Sequence, residues 1–391
     1  MNILLVHPHD LFDKSEPWTV RIKNIAREFT KTGHQVKICY FPVDCSCEGV
    51  TPEPSSMDYI RLDRTPSLPT FIKNTLKLIR FGEWADVIHF QKCQYYASLP
   101  AVISAYINRK PLHYDWDDWE EKIWYESCGK GLHSRVIGFS FKMLERLLPL
   151  LSDSVSCASS RLKELSISFG VKGENIFDSP VGADTEKFVP HIDTDWVKQK
   201  YAIPTNEKIV LYIGQLHGAQ HVDLLINGAN IVLHKYPGVK FMIVGEGFLE
   251  WKLKQLAHTL GIDDKIIFTG AVDHKLIPSY ICAADICVAP FRDTEVARCK
   301  SPLKIVEYMS CGKAIVASNV GEVRKMLGGV GILTEAGNYY SLAEGMLKAI
   351  KDERLCRDLG RACRERIERK YNWFYAASNI LKAYDKIVKL R

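Results

Sequence analysis

The 391-residue chain has no CxxC pair, no run of about 20 apolar residues, no low-complexity tract and no long basic block. Each absence excludes a class. The twelve cysteines are scattered, and several (Cys39, Cys157, Cys282, Cys287) sit among apolar neighbours, as unpaired cysteines of reduced proteins do. Cys45 and Cys47, one residue apart with no nearby pair of histidines, do not spell a zinc site. Without a long apolar run there is no expectation of a membrane span, and the opening MNILLVHPHD lacks the basic and apolar regions of a signal peptide. The expected location is the cytoplasm, with peripheral contact at the inner face of a membrane open. A formal net charge of +6, from 52 Lys and Arg against 46 Asp and Glu, argues against nucleic acid as a partner. The basic excess lies beyond residue 190, where it suits an anionic small ligand or an ordinary solvated surface.

What is present is a rhythm of short apolar strands and amphipathic helices. Ile3 to Val6 is a strand buried on both faces. Val20, Ile22, Ile25, Ala26 and Phe29 recur at helical spacing up to the stop at Gly33, and Gln35 to Tyr40 is the next strand. Strand, helix, strand is the signature of a parallel sheet. The Pro-, Ser- and Asp-bearing stretch 44–69 reads as irregular. The rhythm resumes with Val87 to Phe90, a helix from about Pro100 to Ile107, Leu112 to Asp115, a long helix near His133 to Leu151, Ser154 to Cys157 and a helix after Ser159. A polar, Pro-containing stretch near 190–207 reads as a linker. Beyond it the alternation restarts at Ile209 to Ile213 and runs through strands at 240–244, 265–269, 286–289 and 314–318. The expected fold is α/β, two Rossmann-like doubly wound domains facing across a cleft. The first spans 1–190, joined by a closing helix at about 372–391, and the second spans 191–371. Ligands of such sheets bind beyond the carboxyl ends of the strands.

The most informative segment is Ser301 to Ser318, SPLKIVEYMSCGKAIVAS. Ser301 reads as a helix N-cap and Pro302 as the first helical residue, so the amides of Leu303 and Lys304 point out of the helix start. That end, with Lys304 beside it, suits a phosphate. Glu307 follows on the same face, where a carboxylate accepts from ribose hydroxyls; the i, i+3 spacing fits a plain Lys304–Glu307 ion pair equally well.

At this stretch the sequence resembles the retaining glycosyltransferases of family four, whose GT-B architecture pairs two Rossmann-like domains and whose donors are nucleotide-diphosphate sugars. Ser301-Pro302, Lys304, Glu307-Tyr308-Met309 and Gly312 match the family's helix, which assigns the donor ribose to Glu307. Val244-Gly245-Glu246-Gly247 is similar to the family's VGxG strand end. FTGAV at 268–272 resembles the segment whose backbone contacts the base, near Val272. Ser179 to Pro190 is similar to the segment before the linker, Glu145 to Leu165 to the helix and strand preceding it, and Tyr371 to Leu390 to the helix that closes onto the first domain. The resemblance implies a donor set of Gly214, Gln215, Val272, Arg298, Ser301, Leu303, Lys304 and Glu307. It implies no metal or other cofactor, since helix-end amides and basic side chains hold the leaving diphosphate.

Three departures stand out. The family's loop after the first strand of the second domain carries Arg and Lys; here GQLHGAQH places Gln215 and Gln220 there. Glutamine cannot neutralise a diphosphate, so Arg298, Lys300 and Lys304, with Arg292 behind them, become the cation candidates. Cys299 stands where the family has the first glutamate of a pair, and the loop from His9 to Arg21 lacks the usual glycines.

In the first domain Asp117 and Asp118 align with the family's His-Asp pair and are the catalytic candidates, supporting the developing positive charge at the sugar carbon or orienting the acceptor hydroxyl. The plainer alternative is that they cap the next helix. Asp115-Trp116-Asp117 also spells a DxD metal motif, the less favoured option in a two-domain chain. His7 and His9 follow the first strand as acceptor-side candidates or as ordinary hydrogen-bonded histidines, and His217 beside the donor loop is a sugar-contact candidate. The acceptor class is a glycan or lipid-linked hydroxyl. Lys73, Lys77 and Arg80 on FIKNTLKLIRF, with Arg135, Lys142 and Arg146 further on, suit an anionic membrane surface or a solvated helix face. Two other functions fit the same pattern: a non-catalytic sugar-binding or partner subunit, and another GT-B activity such as a phosphorylase or an epimerase.

Overall fold

The computed structural model describes residues 1–12, 19–42, 57–127 and 131–389. The chain divides into two compact units, Met1–Val181 with Trp373–Arg391, and Gly182–Asn372. In the first unit the elements run β1 (Asn2–Val6), α1 (Val20–Lys31), β2 (Gln35–Tyr40), β3 (Met57–Arg61), α2 (Leu68–Trp84), β4 (Val87–Gln91), α3 (Tyr95–Ile107) and β5 (Leu112–Trp116). They continue with α4 (Glu120–Ser127), α5 (Leu132–Leu151), β6 (Ser154–Cys157), α6 (Ser160–Ser168) and β7 (Ile176–Asp178). The second unit holds α7 (Asp195–Lys200), β8 (Lys208–Ile213), α8 (Val222–Lys235), β9 (Val239–Val244), α9 (Glu250–Thr259), β10 (Ile266–Gly270), α10 (Ile277–Ala283) and β11 (Ile286–Ala289). There follow α11 (Glu295–Cys299), α12 (Leu303–Ser310), β12 (Ala314–Ser318), α13 (Gly321–Leu327), β13 (Ile332–Thr334), α14 (Tyr339–Lys351) and α15 (Glu353–Arg369). The last helix, α16 (Trp373–Lys389), packs in the first unit against α1, β6 and β7.

Both sheets are parallel. Their orders are β3-β2-β1-β4-β5-β6-β7 and β10-β9-β8-β11-β12-β13. β4, β5 and β12 are buried at every position, as central strands covered on both faces are; β12 reads as an apolar run, while β4 and β5 also bury His89, Gln91, His113 and Asp115. In each sheet the chain reverses its direction of travel once, between β1 and β4 and between β8 and β11. The crevice of a doubly wound sheet opens at that point, at the carboxyl ends of the strands.

Two expectations change. The stretch 44–69 contains β3, paired in parallel with β2 from Val36–Met57 to Tyr40–Arg61. As an edge strand it is only partly buried, so MDYIR carries no apolar run to reveal it. The third helix begins at Tyr95, with Pro100 inside it, rather than near Pro100. Cys45 and Cys47 lie outside the described residues. The described cysteines, Cys39, Cys157 and Cys287 among them, are free thiols and mostly buried.

Glycines set the geometry of the second crevice. Gly214, Gly245 and Gly270 all have positive φ (149°, 135° and 70°), and their backbones are laced together. The Gly214 amide donates to the Val244 carbonyl at 3.0 Å, Gly245 to Gly270 at 3.0 Å, and Leu216 to Glu246 at 2.8 Å. A Cβ on Gly245 would lie 2.1 Å from the Gly214 carbonyl oxygen, and one on Gly247 2.4 Å from that of Leu216. The VGEG turn is thus explained by close backbone approach. Gly245→Ala is expected to cost about 3 kcal/mol or more, from the sum of left-handed strain and overpacking. Gly261→Ala, also at positive φ but facing open space, should cost about 1–2 kcal/mol. Urea denaturation of both variants checks this, and equal losses would contradict it.

Candidate functional site

At the carboxyl edge of the first sheet, the strand ends β1, β4 and β5 bring together His7, Gln91, Lys92 and the acidic run after Asp115. Asp115 is fully buried. Arg21 clamps it in a fork, Nε to Oδ2 and Nη2 to Oδ1 both at 2.7 Å, while Gln91 donates at 3.2 Å and Ser156 also donates to it. Burial alone would raise the Asp115 carboxyl, but the Arg21 guanidinium outweighs it and holds the group well below the usual carboxylate range. With Asp115 so occupied, Asp115-Trp116-Asp117 does not offer two open carboxylates to a metal. Among the described residues no group of three or more His, Cys, Asp or Glu is arranged to hold one.

Asp117 sits differently. Gln91 Nε2 donates to its Oδ2 at 3.1 Å, and the Lys92 ammonium lies 3.3 Å from Oδ1 and 2.5 Å from Glu120. Lys92 is 4% exposed and takes a left-handed backbone (φ 66°), an uncommon conformation for a residue with a side chain. Burial opposes its charge, but Asp117 and Glu120 push its pKa well above the ordinary lysine value. For Asp117 burial dominates. Opposed by Lys92 and reinforced by Asp118 and Asp115, it pushes the carboxyl up to about 7. The first amides of α4 do not go to these aspartates: Glu120 and Glu121 donate to the buried Glu145 of α5, at 2.8 and 3.0 Å. The Glu120 and Glu121 amides are thus taken by a carboxylate from another helix and not by Asp117.

His7 and His9 are buried and meet edge to face at 5.4 Å. Both ring nitrogens of His7 lack a hydrogen-bond partner among the described residues, and burial, aided by His9 and Lys92 and opposed by Gln91, holds its pKa well below the ordinary histidine value. Gln91, the last residue of its strand, and Lys92 just beyond it escape a sequence reading; the one signal was two polar residues directly after Phe90. Residues 13–18 of the glycine-poor loop lie outside the described residues.

In the second unit the loop after β8 and the start of α12 converge at the reversal between β8 and β11. Pro302, not Ser301, occupies the N-cap of α12, with no side-chain cap, so Leu303 and Lys304 are the first helical residues and their amides have no intrahelical partner. The Tyr308 hydroxyl accepts from the Ile213 amide at 2.8 Å and pins this helix to the end of β8. Lys304 and Glu307 are not an ion pair. The Lys304 ammonium donates to the Tyr212 hydroxyl and to Gln220 Oε1, both at 2.9 Å, and lies 4.0 Å over the Tyr212 ring. A Cβ at Gly214 would fall 2.7 Å from this ammonium and 2.9 Å from the Tyr212 hydroxyl, so a side chain there, already strained by the positive φ, would push the Lys304 head aside. Burial of the ammonium, with repulsion from Lys300 and partial help from Glu307, holds its pKa well below the ordinary lysine value. Gln220 therefore turns its oxygen to a cation.

Glu307, its side chain 6% exposed, accepts from His274 Nε2 at 3.1 Å, and His274 Nδ1 is 2.6 Å from the Lys187 ammonium. Neither Lys187 nor His274 stands out in the sequence. Two of the other cation candidates are committed to carboxylates: Arg298 forks Asp293 at 2.6 and 2.9 Å and reaches Glu295, and Arg292 forks Asp223. Cys299 is buried. Gln215 is exposed, Val272 partly so in the loop after β10, and burial beside Lys300 and Lys304 lowers His217 to about 4.

Residues 193–366 match the family model described as glycosyl transferases group 1. Over 198 residues the chain is 25% identical to N-acetyl-alpha-D-glucosaminyl L-malate synthase of Bacillus anthracis, covering 50% of this chain and 49% of that protein. Over 222 residues it is 27% identical to phosphatidyl-myo-inositol mannosyltransferase of Mycobacterium tuberculosis, covering 55% of each. The chain thus spans about half the length of the curated relatives it matches. Among solved structures, HepE of Anabaena in complex with UDP aligns over 99% of this chain and 100% of that one, with TM-score 0.75 and 19% identity. Sucrose-phosphate synthase of Thermosynechococcus elongatus aligns over 100% of both, with TM-score 0.77 and 18% identity. The fold is GT-B, built of two parallel-sheet Rossmann-like domains.

The Asp117 shift has a measurable consequence. A carboxyl whose folded pKa is about 7 against about 3.9 unfolded contributes stability that is fully present below pH 4 and is lost as pH rises through 7. Asp117→Asn removes that dependence, so the stability of the variant relative to the native chain should rise between pH 4 and 7.5 in urea melts. A flat difference would show that Asp117 titrates normally.

Proposed function

We propose that the chain is a glycosyltransferase that moves a sugar from a nucleoside-diphosphate sugar to a hydroxyl acceptor, with retention at the anomeric carbon. The observation that carries this is Lys304: an enclosed ammonium held only by neutral groups, at a helix start whose first amides have no intrahelical partner and one turn before a nearly buried carboxylate. A buried cation without a counter-ion is costly, and a diphosphate supplies the missing charge. In this reading the amides of Leu303 and Lys304 and the Lys304 ammonium take the diphosphate, Glu307 takes the ribose hydroxyls, and the backbone near Val272 meets the base. The match of residues 193–366 to glycosyl transferases group 1 supports it, as do the structures of HepE in complex with UDP and with UDP-glucose. Retention rests on the family likeness. Asp117, with Asp118, is assigned to the acceptor hydroxyl in the first unit, and the leaving diphosphate is stabilised without a metal.

The expected behaviour is saturable binding of one of UDP, GDP or ADP, read by thermal shift of the full chain. Glu307→Gln should weaken that binding by about tenfold or more, the loss of a charge-assisted hydrogen bond of roughly 1.5–3 kcal/mol, without lowering the melting point of the free protein. Turnover of the matching sugar nucleotide should survive a chelator. Undiminished affinity in the variant would remove Glu307 from the site. The non-catalytic alternative draws on Gln215 and Gln220 in place of cations; nucleotide binding without any single-turnover release of diphosphate would favour it.

For the acceptor we propose a lipid-linked hydroxyl presented at an anionic membrane surface. α3 packs against both α2 and α5. The outer surfaces of the three helices carry exposed Leu68, Leu76, Tyr106, Leu132, Val136 and Phe139, from 59 to 86% exposed. Lys73, Lys77 and Arg80 lie along α2, and Arg135, Lys142 and Arg146 along α5, whose one acid, Glu145, is buried. Apolar side chains flanked by cations suit anionic headgroups, and they disfavour a second copy of the same face. Among the described residues no helix is long and apolar enough to cross a membrane. The chain should sediment with phosphatidylglycerol vesicles but not with phosphatidylcholine ones, and Val136→Ser with Phe139→Ser should abolish most of that binding. Failure to sediment with either vesicle would overturn the membrane assignment.

A further inference from the structure

His274 is held on three sides. Its Nε2 meets Glu307 Oε1 at 3.1 Å, its Nδ1 meets the Lys187 ammonium at 2.6 Å, and its ring stands edge to face against buried Phe188, centroids 5.7 Å apart. An ammonium only donates, so Nδ1 must present its lone pair, and the ring proton is then on Nε2, directed at the Glu307 carboxylate. The segment bearing Lys187 and Phe188 is itself fixed to the helix that carries Glu307. The Phe188 carbonyl accepts from Ser310 Oγ at 2.7 Å and from Arg364 Nη1 at 2.8 Å, and Arg364 also bonds the Ser310 carbonyl. The chain of contacts is therefore closed: helix α12, segment 187–188, His274, and back to Glu307 on α12. It immobilises one carboxylate oxygen. Oε2 of Glu307 makes no hydrogen bond among the described residues.

We infer that His274, oriented by Lys187, is a positioning residue for donor recognition: it locks Glu307 by Oε1 so that Oε2 is aimed at the vicinal hydroxyls of a ribose. This rests on the donor reading above and deepens it, because a carboxylate free to rotate would lose part of its preference for a diol. Discrimination between ribose and deoxyribose would then depend on a histidine that touches neither.

The test measures the affinity of UDP, GDP and ADP for the full chain by calorimetry, then that of the tightest of them against its 2′-deoxy form, for the native chain and two variants. His274→Phe keeps a ring against Phe188 and removes both nitrogens. His274→Gln removes the ring but returns an N–H donor near the Nε2 position. The expected result is an about tenfold loss of affinity in the Phe variant, with the preference over the 2′-deoxy form reduced, and recovery of most of both in the Gln variant. A ring needed only for packing would give the reverse order. Unchanged affinity and unchanged 2′-deoxy preference in the Phe variant would overturn the positioning role while leaving the donor reading intact. If the native chain binds none of the three nucleotides, the donor reading fails, and this inference with it. Tighter binding by the Phe variant would also overturn it, since His274 would then be blocking Glu307.

Discussion

A buried guanidinium against a buried carboxylate organises the first half of the molecule. Arg21 enters from α1, Asp115 from the end of β5, and the same guanidinium reaches Ser179 at 3.0 Å, whose hydroxyl donates to the Ala376 carbonyl of the last helix at 3.3 Å. One pair thus ties the first helix, the centre of the sheet and the returning chain terminus to a single point. Such a pair adds little net stability over apolar residues of the same shape, but breaking it strands a charge at a cost of about 3–5 kcal/mol. Its consequence for chemistry is a division of labour among carboxylates two residues apart. Asp115 is fully spent on structure, and Asp117, one pleat further on, keeps a raised pKa and a lysine for company.

The second unit follows the opposite rule at its own crevice. There the backbone is drawn tight by glycines around a charged side chain that has no carboxylate partner. Gly214, Gly245 and Gly247 let the loops after β8 and β9 pack carbonyl against Cα, and Gly214 leaves room for the Lys304 ammonium. That ammonium finds a phenol and an amide oxygen, neither of which carries a formal charge. Arg292 and Arg298, nearby in sequence, instead neutralise Asp223 and Asp293. An anion-binding site is defined here less by how many cations a segment contains than by which of them is left without a carboxylate.

The two glutamines that depart from the family pattern acquire different meanings in the fold. Gln215 is exposed and unburdened by packing, whereas Gln220 turns its oxygen to Lys304. A cation at position 220 would repel that ammonium, so glutamine there lets Lys304 occupy its present place as a single charge. Glu307, meanwhile, is hydrogen-bonded not by Lys304 one turn away but by a histidine from the loop after β10.

Much of the architecture was legible in the sequence because it rests on local terms. Strands buried on both faces read as apolar runs, helices as a 3.6-residue period, and the stop at Gly33 and the start near residue 302 as caps. The helix start with its exposed amides, the glycine turn at 245 and the acidic run at 115–121 were visible for the same reason. The edge strand at 57–61 was not, since a half-exposed strand has no apolar run. What only the tertiary structure decided was partnership. Arg21 and Asp115 are 94 positions apart, Lys304 and Tyr212 are 92, and His274 and Glu307 are 33. Which charged groups meet depends on strand order and on how deeply each strand end is buried, and both are set by non-local pairing in the sheets. Spacing along the chain therefore named the carboxylates and lysines, while the fold determined which were consumed in holding it together and which remained for a ligand.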